Sequence, residues 1–431
     1  MQFRIPAGEP ATPAMCRIRR APVCVLAVLG LLALPALGQP AGGLSFERAQ
    51  ALAIERAPML AARQATADAA VQLRTSADQL PDPRLITALE NLPISGPERF
   101  SPAQEPMSQL SFGWMQEVPN AAKRAARTRG AQALAERERA LWTAERLSVQ
   151  REVAQAWLAR YYVERKIAFF QALEDENRLL RDTVSARVAG GGAMPVDATM
   201  ARQEALMLAD RRDELARQRA QALATLTRWL GDEAKQPLAG GPPGLTVDPA
   251  TVHGGIAQHA DLRVFEPMAR MTAAEVAEME AAKRGDWSWQ VMYSKRGSSF
   301  GDMVSVQFSF ELPLWAEQRQ DPQIAAKRKD AERIAAELED GVRRRREEMD
   351  TQLAELEEST RMLERLKASA EPLATERVAL TMSAYQAARG DLAAVLNARR
   401  ERAELGLRAI ELEARQFALR ARLNYLIAEQ R

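Results

Sequence analysis

The sequence predicts a mainly α-helical chain with a small β part, a duplicated unit in which long coiled-coil helical hairpins carry two strand pairs. Two segments establish the duplication. Met107-Ser108-Gln109-Leu110-Ser111-Phe112-Gly113-Trp114-Met115-Gln116-Glu117-Val118-Pro119 alternates apolar and polar residues, stops at a proline and runs into a very long helical pattern. Asp302-Met303-Val304-Ser305-Val306-Gln307-Phe308-Ser309-Phe310-Glu311-Leu312-Pro313 does the same. The two prolines lie much further apart than a solenoid period of roughly 20–50 residues, so one large supersecondary unit occurs twice. A third observation fits the helices. The 59 Lys and Arg and 57 Asp and Glu are interleaved, as on long solvated helix faces.

At the N-terminus, Arg17, Arg19 and Arg20 precede an uncharged run over 21–37 that closes with Ala36-Leu37-Gly38, which predicts a signal peptide over residues 1–38. Both cysteines, Cys16 and Cys24, fall inside it, so the mature chain is expected to have no disulfide and no thiolate site. Cys24 precedes most of the apolar run, so no lipid anchor is expected. The net charge of +2 gives no sign of nucleic-acid binding.

The first repeat is predicted over 39–236. Ser45 can cap a helix over 45–78, Leu80-Pro81-Asp82-Pro83 stops it, and strands lie within 84–118. The pattern is then helical from 121 to 189, about 100 Å at 1.5 Å per residue. Gly190, Gly191, Gly192 and Pro195 turn the chain into a helix over 196–230. A Pro/Gly-rich connection marks the inter-repeat linker, 237–254. The second repeat, 255–431, predicts a helix over 255–284, strands at 286–296 and 302–312, a long helix over 317–388 and a last one over 391–430. In the first repeat two shorter helices laid end to end match the long one. Leu134, Leu141, Leu147, Trp157, Tyr161, Phe170 and Leu173 form a stripe that reads as a coiled-coil seam.

The strands carry the membrane signal. Leu110, Phe112 and Trp114 alternate with Gln109, Ser111 and Gly113; Trp287, Trp289, Val291 and Tyr293 alternate with Ser288, Gln290 and Ser294; Val304, Val306, Phe308, Phe310 and Leu312 alternate with Ser305, Gln307, Ser309 and Glu311. Leu110, Phe112, Trp114, Trp287, Trp289, Val306, Phe308 and Phe310 are the lipid-facing candidates of a transmembrane barrel. A soluble sheet with one buried face gives the same alternation. The signal segment and the lack of a retained apolar helix favour the outer membrane. Four strands cannot close a barrel without leaving open edges in lipid, so the strands must come from several copies: two give eight, three give twelve, and the larger number leaves a clear water-filled lumen.

An enzyme is poorly supported. The two histidines, His253 and His259, are six apart in the connection between halves, off the spacing that puts two ligands on one helical face, and read as solvated loop residues. No phosphate-binding glycine loop and no nucleophile elbow occurs. No catalytic, cofactor-binding or metal-ligating residue is assigned, and no cofactor is expected. A soluble periplasmic adaptor or scaffold would also be rich in helical hairpins, but would flank one hairpin with small β-domains.

Several motifs in register resemble the TolC-type outer-membrane efflux proteins over essentially the whole mature chain. Leu44-Ser45-Phe46-Glu47-Arg48-Ala49-Gln50-Ala51-Leu52 with Ala57-Pro58-Met59-Leu60-Ala61-Ala62 looks like the family's opening helix. Gln116-Glu117-Val118-Pro119 with Lys123-Arg124-Ala125-Ala126-Arg127 looks like its strand-to-helix passage, and Phe310-Glu311-Leu312-Pro313-Leu314 like the second such passage. Arg187, Gly191, Asp197, Ala201 and Arg202 fit the first hairpin turn. Ala384-Tyr385, Leu392, Val395-Leu396 and Ala398 fit the second, and Asn424-Tyr425-Leu426-Ile427 the last helix.

The resemblance implies a homotrimer with a 12-stranded β-barrel in outer-membrane lipid, continued by an α-helical barrel through the periplasm of a Gram-negative bacterium. It implies a passive duct that docks a periplasmic adaptor protein and an inner-membrane pump of the resistance-nodulation-division type. On the same basis Asp197, Tyr385, Asp391 and Asn397 are periplasmic gate candidates, and Arg187, Gly190, Gly191, Gly192, Arg389 and Gly390 mark adaptor-docking hairpin tips. For Asp197 a first-turn carboxylate role, and for Tyr385 packing in the seam, are the structural alternatives. The chain departs from the family at Ala394 and Asn397, where relatives carry acidic residues, and at Arg389-Gly390, where the turn glycine stands two positions earlier. The Lys123–Arg127 run looks like the subgroup serving heavy-metal efflux; multidrug export and protein secretion are the alternatives.

Overall fold

The computed structural model describes residues 43–102, 104–297 and 299–426. The signal segment with Cys16, Cys24 and Gly38, and the last helix beyond residue 426, lie outside the described residues. Where the sequence predicts one helix over 45–78, the chain forms α1 (Phe46–Arg56) and α2 (Pro58–Ser76). The break is Ala57, whose ψ of 112° is the extended conformation imposed on a residue preceding proline. Ser45 caps α1 by accepting the Arg48 N–H at 3.1 Å.

Strands β1 (Arg84–Glu90) and β2 (Gln109–Val118) lead into α3 (Ala121–Ala189), a single helix of 69 residues. Helix α4 (Pro195–Leu230) returns along α3, and α2 packs against the same helix. The second half contains α5 (Pro249–Gly254), α6 (Phe265–Ala281), β3 (Trp287–Arg296), β4 (Met303–Phe310), α7 (Ala316–Arg365), α8 (Glu371–Gln386) and α9 (Leu392–Asn424). The helix predicted over 255–284 begins only at Phe265, with Pro267 in its first turn, where a missing N–H is harmless. The helix predicted over 317–388 is interrupted by a π-helical turn over Leu366–Ala370. Pro372 explains the interruption, because it cannot donate to the carbonyl one turn back and its ring needs room there.

The four strands form one antiparallel sheet in the order β1-β2-β3-β4. Leu85, Trp114, Val291 and Val306 stand side by side across it, as do Thr87, Phe112, Tyr293 and Val304. Register therefore puts Leu110, Phe112, Trp114, Trp287, Trp289, Val291, Val306, Phe308 and Phe310 on one face. Trp287 stacks on Phe310 with centroids 6.4 Å apart. The opposite face carries Glu90, Gln109, Ser111, Gln290, Ser294, Ser305 and Gln307. There the Ser111 hydroxyl donates to Glu90 at 3.2 Å, so the Ser294 hydroxyl, 2.8 Å away, donates to Ser111. A Cβ on Gly113 would come within 2.6 Å of Met292, which makes this face of β2 and β3 tight. Strands β1 and β4 are free edges, and every residue of β4 is exposed. Among the described residues no helix is long and apolar enough to cross a membrane.

The main apolar core gathers α1, the middle of α3, the end of α4 and the end of α9 around Trp157, which is 0% exposed. This part of the stripe thus packs against three helices at once and, at Leu44, an extended segment. Trp157 meets Phe46 edge-on at 5.6 Å, stacks on Tyr161 at 5.3 Å and donates its Nε1–H to the Leu44 carbonyl at 3.1 Å. The Pro/Gly-rich connection is part of this core. Leu44 pairs with Leu238, and a Cβ on Gly43 would collide with the Pro237 carbonyl. One correction concerns the histidines. His253 is exposed, 3.6 Å from Asp350, but His259 is 2% exposed and not a solvated loop residue, because the turn between Gln258 and Phe265 folds inward with Leu262.

Candidate functional site

Two places collect the residues singled out by sequence: the sheet with its passages into helix, and the tips of the two helical hairpins. At the passage from β2 to α3, Asn120 caps α3 by accepting the Lys123 N–H at 2.8 Å, while its amide donates to the Ala281 carbonyl at 3.0 Å and the Arg284 carbonyl at 2.6 Å. Asp286, just before β3, accepts from Lys123 at 2.7 Å and from the Asn120 N–H at 2.9 Å. Burial alone would raise the Asp286 carboxyl, but these donors outweigh it and hold it below the ordinary carboxylate range. Arg127 pairs with Glu278 at 2.6 Å and Arg124 with Asp78 at 3.9 Å. The Lys123–Arg127 run thus ties the passage from β2 to α3 to helix α6, to the turn from α6 into β3 and to the end of α2.

At the first tip, α3 ends in a Schellman motif: the Gly192 N–H reaches the Arg187 carbonyl at 2.8 Å, the Gly191 N–H reaches Val188 at 3.1 Å, and Gly191 takes φ +73°. Helix α4 then starts at Pro195. The Asp197 carboxylate accepts the Met194 N–H at 3.2 Å, a first-turn capping bond. At the second tip, the Arg389 N–H reaches the Ala384 carbonyl at 2.9 Å and the Ala388 N–H reaches Tyr385 at 3.1 Å, the same motif, but the left-handed position with φ +55° is occupied by Ala388. Asp391 caps α9 by accepting the Ala394 N–H at 2.8 Å, and Asn397 is exposed. Ala388→Gly is expected to stabilise this tip by about 1 kcal/mol, since it removes left-handed strain that exceeds the entropy glycine adds to the unfolded chain. The measurement is amide exchange of Arg389, slowed about fivefold.

One cation joins the tips. The Arg187 guanidinium lies over the Tyr385 ring at 4.4 Å from its centroid, and donates to the Tyr385 carbonyl and to the Gly192 carbonyl, both at 3.2 Å. Tyr385 packs with Leu180, Val184, Leu392, Val395 and Leu396. Burial first, then the charge of Asp197, pushes its phenol above the usual value, against the lowering effect of Arg187. Its hydroxyl has no hydrogen-bond partner among the described residues. Asp197 and Tyr385, both gate candidates, are therefore not hydrogen-bonded to each other within the chain, because Asp197 faces its own helix start. Further along, α9 is tied to the first half by Arg399 and Arg402 on Glu176, at 2.9 and 2.6 Å, by Arg400 on Glu204 at 2.9 Å, and by Lys166 on Glu411 at 2.7 Å.

Of the residues picked from sequence, the structure brings Arg187, Gly192, Asp197 and Tyr385 together. Gly190, Gly191, Arg389, Gly390 and Asp391 are exposed at the two turns, and Arg187, grouped with them, is instead the clasp between hairpins. Sequence reasoning missed that clasp. Its signal was a cation near the end of α3 opposite an aromatic near the end of α8.

No protein-family model matches the chain, and no curated protein matches it in sequence. Solved structures do match. A membrane protein from Pseudomonas aeruginosa is 19% identical, covering 90% of this chain and 91% of its own, with a TM-score of 0.77. CusC, studied for conformational changes accompanying folding and transmembrane channel formation, is 14% identical over 91% of this chain and 95% of its own, with a TM-score of 0.77. The outer membrane protein VceC of Vibrio cholerae is 18% identical over 88% and 95%, with a TM-score of 0.69. At these identities the shared property is the fold: this chain has the fold in which those membrane and outer-membrane proteins were solved.

Proposed function

We propose that the protein is a TolC-type outer-membrane efflux channel, the passive exit duct of a tripartite assembly with a periplasmic adaptor and an inner-membrane pump of the resistance-nodulation-division type. The observation that carries this reading is the sheet. One face is apolar across four strands and exposed, the other is polar, and both edges are open. An exposed apolar sheet face needs lipid, and open edges in lipid need strand partners. Three copies, each pairing its β4 with the β1 of the next, supply both and enclose a lumen lined by the polar face. Long hairpins continuing below the sheet fit a duct through the periplasm, and the exposed turns at their tips fit an adaptor.

The purified protein is expected to give discrete single-channel conductance in planar bilayers. A preparation folded by its helical content yet without conductance would contradict the reading. Within it, Arg187→Gln is expected to shift the closed-to-open balance by about five- to thirtyfold, the effect of losing about 1–2 kcal/mol of cation–π and hydrogen-bond contact. Tyr385→Phe keeps both the ring and the carbonyl and is expected to leave conductance unchanged; the reverse ranking would mean that the phenol hydroxyl, and not Arg187, sets the balance.

For the cargo we propose heavy-metal cations, on the likeness of the Lys123–Arg127 run to the metal-efflux subgroup. The run itself is engaged in ion pairs with Asp286 and Glu278. Gene deletion decides: loss of tolerance to metal salts supports this cargo, whereas loss of tolerance to organic drugs, or a halt in protein secretion, assigns the other.

A further inference from the structure

Outside the sheet and the tips, a polar cavity of about 220 Å³ opens between α2, α3 and the inward turn before α6, with Arg63, Glu145, Ser148, Arg151, His259 and Asp261 among its walls. His259 is 2% exposed. Its Nδ1 accepts the Asp261 N–H at 3.2 Å, which places the proton of the neutral ring on Nε2. That Nε2–H is buried and has no partner among the described residues, and the same holds for the Nε–H of Arg63. Arg151 donates to the Ser148 hydroxyl at 3.1 Å and makes no described ion pair. On the acidic side, Asp261 is held by Arg345 at 2.9 Å, and Arg345 also binds Glu348 at 2.5 Å. Two guanidiniums and an imidazole donor are thus opposed, inside the cavity, by the single uncommitted carboxylate of Glu145.

Buried donors without acceptors are costly, and two neighbouring guanidiniums favour a negative charge between them. Water could accept hydrogen bonds there but would leave the charge uncompensated. We propose that this cavity binds a small oxyanion of the phosphate or carboxylate kind, held by Arg63, Arg151 and the Nε2–H of His259. Bound there, it would tie α2 and α3 of the first half to the turn that opens α6 in the second. The site is separate from the channel reading and stands or falls without it.

The chain has two histidines, so ring-detected nuclear magnetic resonance on the detergent-solubilised protein resolves His259 against exposed His253. Inorganic phosphate and acetate are titrated separately at constant ionic strength, with chloride as the reference. The expected result is a saturable shift of the His259 ring signals, with its titration midpoint moved upward, because a bound anion favours the charged ring. Saturation by phosphate alone, or by acetate alone, identifies which oxyanion fits. Arg63→Gln is expected to weaken the apparent affinity about tenfold, the loss of one charge-assisted contact. No saturable shift with either anion, or an equal shift in folded Arg63→Gln, overturns the proposal and leaves a water-filled cavity; if that variant does not fold, the wild-type titration decides.

Discussion

Replacing Phe308 with Arg is expected to stop the protein from assembling in the membrane while leaving the hairpins folded. Phe308 is exposed on β4, beside Trp289 on β3 and within ring contact of Trp287, on the apolar face of the sheet. In a barrel that face meets hydrocarbon, and an arginine near the midplane costs about 2–4 kcal/mol in each copy. In the proposed trimer the penalty would arise three times, comparable to the net stability of an ordinary folded domain, about 5–15 kcal/mol. The control is Gln307→Arg, one residue away on the opposite face beside Gln290, where a charge meets water and assembly is expected to survive. Heat-stable oligomers from Phe308→Arg together with failure of Gln307→Arg would mean that the two faces are assigned in reverse.

Trp157→Ala is expected to be the most destabilising single truncation away from the sheet, by about 3–5 kcal/mol. The indole is wholly buried, contacts two aromatic rings and donates to the Leu44 carbonyl, so its loss leaves a cavity and removes one of the two hydrogen bonds that this carbonyl accepts, the other coming from the Ala239 N–H. The same bond fixes the opening segment of the chain, which pairs with the connection at Pro237 and Leu238. Trp157→Phe keeps the ring contacts and loses the donor, for an expected cost of about 1–2 kcal/mol. Thermal unfolding in detergent ranks the two; near-equal losses would show that the hydrogen bond, and not the packing, carries this site.

The strands were legible in the sequence because a period of two, closed by proline, needs only local information, and Phe308, Phe310, Trp287 and Trp289 fall on the face that the alternation assigns them. Helix α3 was legible for the same reason: 69 residues hold no proline, and Asn120 and Gly190 mark its ends. Interruptions that depend on two residues in conflict were harder to read. Pro58 and Pro372 each break a helix without any change in the apolar pattern around them. For Trp157 helical spacing shows that the side chain faces inward, not what covers it, and besides α1, α4 and α9 the cover includes the extended segment at Leu44. His259 was misplaced for the opposite reason: a Gly-rich neighbourhood looks solvated, while the surrounding walls come from α3 and from Tyr425 and Leu426 after α9. At the tips the residue types were readable, but the clasp from Arg187 to Tyr385 depends on two hairpins meeting, which no local pattern reports.

The oligomeric state in the membrane decides most directly whether the open edges of β1 and β4 are completed by other copies of the chain. Native mass measurement of the protein extracted from outer membranes in mild detergent is expected to give three chains per particle. A monodisperse monomer that keeps its strand content, or a protein recovered only from the soluble periplasm, would contradict the twelve-stranded duct.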